Sequence, residues 1–131
     1  MQRNDVGKWG VNYRCRMDML HKEMAEKLGV SASYLSGIEH GRKQVPEDWW
    51  ERVAATFKLS LPEATELRIA AMRSRREVTV TVETDLDARI MVAFEENRAE
   101  LDMGKAKKIE AILLEGTGQE DELTEEKAAH T

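Results

Sequence analysis

Cysteine, proline and aromatic residues are scarce in this chain: of 131 residues, one is Cys, two are Pro and seven are Trp, Tyr or Phe. The lone thiol, Cys15, permits no internal disulfide and suits a reducing compartment. With only three histidines beside it, ligands are too few for a metal centre, and no metal or other cofactor is expected. No stretch approaches the roughly 20 uncharged apolar residues of a membrane span, so no membrane partner is expected. The opening Met1-Gln2-Arg3-Asn4-Asp5 lacks the apolar core of an export signal. Also missing are a nucleophile-base-acid set and a Gly-rich phosphate loop, so the chain is not expected to be an enzyme. What remains is aliphatic, Ala- and Met-rich and heavily charged, a composition that leans helical.

The overall charge of −5 conceals an asymmetry. Residues 1–60 carry a net +2 and residues 61–80 a net +1, whereas residues 81–131 carry −8. A partner responds to the local field rather than to the mean, so the first half remains compatible with an anionic partner. The acidic half is either a device against indiscriminate nucleic-acid binding or a solvated tail.

Trp9, Tyr13 and Met17 recur at spacing four, the period of one helix face. Met24, Ala25 and Leu28 begin a second helix that stops at Gly29, a residue suited to a left-handed C-terminal turn. Ser31 is a good N-cap for a third helix bearing Tyr34, Leu35 and Ile38, which ends at Gly41. Two short helices joined by a Gly-containing turn are the pattern of a helix-turn-helix. Beyond the basic loop Arg42-Lys43-Gln44-Val45, Pro46-Glu47-Asp48 is expected to open a fourth helix with Trp49, Trp50, Val53, Ala54 and Phe57. Ser60 and Glu63 have capping-box spacing at the start of a fifth, closed by Arg73 to Arg76.

Glu77 to Glu83 reads differently. Val78, Val80 and Val82 alternate with Thr79 and Thr81, the pattern of a half-buried β-strand. No other segment offers a comparable strand, so the expected partner is the same strand of a second subunit about a two-fold axis. A hairpin with an unrecognised segment is the alternative. Thr84 caps a further helix with Leu86, Ile90 and Phe94 on one face, and Lys105 to Leu114 forms another. Val78, Val80, Val82, Leu86, Ile90 and Phe94 are therefore the expected dimer interface. Residues 116–131 are acidic, nearly free of large apolar side chains, and expected to be a disordered tail.

Over about 25 residues, Met24-Ala25, Leu28-Gly29-Val30-Ser31, Tyr34-Leu35-Ser36, Ile38-Glu39, Gly41-Arg42 and the following Pro46 form a spaced pattern. It resembles the XRE, or lambda-repressor-like, helix-turn-helix family of transcriptional regulators. The resemblance implies a mainly α fold. A five-helix DNA-binding domain at residues 1–76 would be followed by a strand-helix dimerisation extension at 77–115 and the tail. It also implies double-stranded DNA and a second copy as partners, in the cytoplasm of a bacterium or a phage host. The function implied is that of a dimeric, autoregulatory repressor reading an inverted repeat through residues 32–40. An antitoxin-type protein that also binds a regulatory protein partner through its acidic half is the alternative. Carried over position by position, Ala32, Ser33, Tyr34, Ser36 and Gly37 are the base-reading candidates. Phosphate contacts fall to His21, Lys22, Ser31, His40, Arg42 and Lys43, and Arg14 with Glu39 resembles a structural ion pair of the family. Most of the base-reading candidates are short, so direct readout is expected to be modest, supplemented by DNA shape or by the arm from Met1 to Lys8 with its Arg3.

Overall fold

Asn4 starts the first helix: its side-chain oxygen accepts from the backbone N–H of Gly7 at 2.8 Å, satisfying a donor that the helix itself cannot. In the computed structural model, which describes residues 2–116, helix α1 then runs Asp5–Arg16. It is followed by α2 (His21–Leu28), α3 (Ala32–Glu39), α4 (Trp49–Phe57), α5 (Leu61–Arg75), α6 (Asp85–Asn97) and α7 (Met103–Leu114). A single 3-10 turn, Arg98–Glu100, separates the last two. The chain divides into one unit ending at Val80 and another beginning at Thr81.

In the first unit α1 packs on α3 and α5, α2 on α3 and α4, and α4 on α5. The core they enclose contains Val6, Met24, Ala25, Leu28, Leu35, Ile38, Val45, Trp49, Val53, Leu67, Ala70 and Ala71. Trp50 stays at the rim, with the Arg68 guanidinium 4.9 Å from its ring centroid. The periodicity of α1 holds only in part. Tyr13 is buried and stacks on Trp9 at 5.0 Å, but Met17 lies past the helix end and is exposed. Pro46 does not open α4; its carbonyl accepts from the N–H of Trp49, making a turn that delivers the chain to a helix starting three residues later.

The second unit is built from α6, the 3-10 turn and α7. Thr84 accepts from the N–H of Asp87 at 3.0 Å and Asp102 from that of Lys105 at 2.7 Å, so both helices have side-chain N-caps. Neither helix buries a single residue.

The strand expected at 77–83 is not seen. Among the described residues there is no β-strand, and 76–83 have no regular secondary structure. Alternating Val and Thr favour a pleated strand only when a neighbouring strand accepts its backbone hydrogen bonds, and the described residues supply none. Val78, Val80, Val82, Leu86, Ile90 and Phe94 are all exposed. The acidic segment from residue 117 on, expected to be disordered, lies outside the described residues. No helix among the described residues is long and apolar enough to cross a membrane.

Candidate nucleic-acid interface

The geometry of this region follows from the junction between α2 and α3. Gly29 ends α2 at φ +73°, in the left-handed region that costs glycine no side-chain clash. The N–H of the next residue, Val30, reaches back to the Ala25 carbonyl at 3.0 Å, the long bond of a Schellman turn. Ser31 then caps α3 by accepting from the Tyr34 N–H at 3.0 Å. Ala25 and Leu35 are both buried, so the two helices hold a fixed angle and α3 turns its other face outward.

That outward face carries Ala32 and Ser33, exposed, then Ser36 and His40, half-buried, at the three- and four-residue spacing of one side of a helix. Tyr34 lies to one side, its ring 6.4 Å from that of buried Trp49. Gly37 is buried. A Cβ there would meet the Lys43 stem at 3.2 Å, because the loop after α3 folds back over it. The Lys43 N–H donates to the Gly37 carbonyl at 3.1 Å, and the Lys43 ammonium sits 5.6 Å from the Tyr34 ring centroid. Arg42 folds back as well, donating from Nη2 to Ser36 Oγ at 2.9 Å. His40 Nδ1 contacts the Ser36 carbonyl at 2.9 Å and its hydroxyl at 3.4 Å. The two loop cations thus rest against the helix while staying exposed.

Behind this face lies a buried charge pair. Arg14 Nη1 and Nη2 donate to the two Glu39 carboxylate oxygens at 2.7 and 3.0 Å, and Glu39 is only 2% exposed. Nη1 also approaches the Met24 sulfur at 3.3 Å. The fork-to-fork geometry fixes the end of α3 against α1. His21, the first residue of α2, places Nε2 3.9 Å from Glu39 Oε1. Burial lowers the His21 pKa; Glu39 opposes that shift, while Arg14, Arg3 and His40 reinforce it. The imidazole is therefore biased toward its neutral form. Lys22 beside it and Ser31 at the head of α3 are exposed.

Two features escape sequence reasoning. Asn4 donates from its backbone N–H to the Glu39 carbonyl at 2.9 Å and from Nδ2 to the Ile38 carbonyl at 2.8 Å, clasping the N-terminal arm to the end of α3. Gly7 and Gly10, on one side of α1, allow the close approach. A Cβ at Gly7 would collide with the Glu39 carbonyl oxygen, and one at Gly10 with the Glu39 carboxylate. The only sequence signal was a pair of glycines three apart inside a helix, where glycine is otherwise unfavourable.

Residues 13–67 match the family model described as a helix-turn-helix domain. This segment is similar to a helix-turn-helix domain. The match covers α2, α3, the turn between them and α4, with the end of α1 and the beginning of α5. No curated protein and no solved structure matches the chain. In a helix-turn-helix the second helix enters the major groove of DNA, and here that helix is α3. Of the sequence-derived candidates, the domain gathers Ala32, Ser33, Ser36, His40, Arg42 and Lys43 on or over one face of α3. Gly37 is covered, and Ser31 uses its hydroxyl as a cap.

Proposed function

We propose that this protein is a sequence-specific double-stranded DNA-binding regulator of the XRE type, acting in the cytoplasm as a dimeric, autoregulatory repressor without enzymatic activity or cofactor. The observation that carries the reading is the presentation of α3. Its outward face opens with the small side chains of Ala32, Ser33 and Ser36, which let it enter a groove, and His21, Lys22, His40, Arg42 and Lys43 around them suit phosphates. Ala32 and Ser33 sit at the N-terminal end of α3, where this docking mode meets base edges.

The proposed dimerisation draws on what α6 and α7 leave uncovered among the described residues. Neither α6 nor α7 buries a residue, yet α6 carries Leu86, Ile90 and Phe94 and α7 carries Ile109, Ile112 and Leu113. Apolar surface of this extent is stabilised by removal from water, and a second copy provides the matching surface. Val78, Val80 and Val82, exposed as well, are assigned to the same dimer interface. Two copies would present two α3 helices to half-sites roughly 34 Å apart on an inverted repeat. The alternative, an antitoxin-type role, draws on the net −8 of residues 81–131, which suits a basic protein partner.

Selection of duplexes from a random pool, followed by sequencing, tests the reading. An enriched inverted repeat with one-turn spacing is expected, with affinity falling steeply with salt as counterions are released. Absence of any enriched sequence, together with co-purification of a basic protein, would favour the antitoxin role.

A further inference from the structure

We propose that Arg42 reads a guanine in the major groove and that Ser36 is the positioning residue that aims it. The inference rests on the DNA-binding reading above and changes the part that Arg42 plays in it, from phosphate contact to base contact.

Ser36 occupies the middle of the outward face of α3, one turn after Ala32 and one turn before His40. The Arg42 guanidinium is laid across it, with Nη2 donating to Ser36 Oγ at 2.9 Å. Its direction is set by more than that bond. The loop backbone is tied down immediately afterwards, where the Lys43 N–H donates to the Gly37 carbonyl at 3.1 Å and the Lys43 stem covers Gly37. His40 brackets Ser36 from the other side, 2.9 Å from its carbonyl. A glycine at position 37 is what admits this packing, since a Cβ would press on the Lys43 stem.

The guanidinium keeps its charge available. Among the described residues no carboxylate pairs with Arg42, in contrast to Arg14, Arg16, Arg73 and Arg89. One of its five N–H donors is used on Ser36, which leaves a planar edge free. Guanine presents O6 and N7 as two acceptors in the major groove, the pattern that such an edge matches with two parallel hydrogen bonds. Ala32 and Ser33 offer no fork, so the face would otherwise lack a bidentate reader. His21, Lys22 and Lys43 remain at the edges, where the phosphates run.

The test selects duplexes from a random pool with the full-length wild type and with Arg42→Lys, Arg42→Ala and Ser36→Ala, then measures affinity for the selected and random duplexes over a salt series. The wild type should enrich a half-site containing a guanine at one position. Arg42→Ala removes every donor, so preference at that position should fall roughly 5- to 150-fold, and Arg42→Lys, which keeps the charge but loses the planar fork, should lower it less. The loss should be much larger on the selected duplex than on random DNA. Ser36→Ala should weaken the preference at the same position to a smaller degree. If Arg42→Lys and Arg42→Ala retain the wild-type motif and bind all duplexes more weakly alike, Arg42 is a phosphate contact and the proposal is overturned while the DNA-binding reading stands. If the wild type enriches no sequence, the DNA-reading function itself fails, and this proposal with it.

Discussion

Glu39 is the residue on which most of the first unit's specific geometry converges. Its carboxylate takes both Arg14 nitrogens, its carbonyl takes the Asn4 N–H, and Gly7 and Gly10 clear space for both groups. A charge this deep is favourable only while paired, because the desolvation of one ion is offset by the other. Glu39→Ala strands the Arg14 guanidinium and is expected to cost about 3–5 kcal/mol of unfolding free energy. The double change Arg14→Met with Glu39→Leu should recover most of that loss in urea denaturation, since it removes both charges. A double variant no more stable than Glu39→Ala would mean that the pair's geometry, rather than its charge balance, holds α1 to α3.

At the scale of elements, the caps explain why the helices begin and end where they do. Ser60 Oγ accepts from the Glu63 N–H at 3.3 Å, and Glu63 Oε1 returns the contact by accepting from the Ser60 N–H at 2.9 Å. Ser60→Ala should destabilise the fold by about 0.5–2 kcal/mol, measured by thermal or chemical denaturation at neutral pH. The same box carries a pH dependence. The Glu63 carboxyl is held below its ordinary value of 4.5, first by the Ser60 backbone N–H, then by the Ser60 hydroxyl and by Arg16. A lowered folded-state pKa means that the unfolded chain binds the proton more readily. The stabilisation is therefore complete above the ordinary value and disappears as pH falls through the lowered one. Glu63→Gln should flatten the stability profile in that acidic window, and an unchanged profile would show that the carboxylate does not act as a cap in solution. The box was legible from the sequence because its partners are three residues apart. Gly29 and Ser31 were legible for the same reason. Pro46 misled because the helix start depends on how Trp49 enters the core, which local spacing does not encode.

For the molecule as a whole, the division at Val80 separates two kinds of stability. The first unit encloses its own core; in the second, α6 and α7 bury none of their residues. Under the proposed function this uncovered surface joins two copies, so dimerisation and DNA affinity are linked. Val80→Asp places a charge within the proposed interface, where burial without a partner is unfavourable. It should convert the dimer to monomers in light scattering and weaken binding to an inverted repeat far more than to a half-site. An undiminished dimer mass would remove residues 78–82 from the interface. The charge asymmetry belongs to the same scale: under the proposed function, the net −8 beyond residue 80 would oppose DNA and leave attraction to the first unit.

Local chemistry sufficed for the helical character of residues 5–75, the α2–turn–α3 arrangement and the helix caps, because each depends on residues within about one turn of one another. Tertiary structure decided everything that depends on elements meeting. It brought Asn4 to the end of α3, placed Gly7 and Gly10 against Glu39, and laid Arg42 on Ser36, contacts that span six to 35 residues of sequence. It also decided the fate of 77–83, where Val-Thr alternation met no second strand among the described residues and regular structure did not form. Periodicity records which face of a segment prefers to be buried; which partner covers that face is set only when distant parts of the chain, or of another chain, come together.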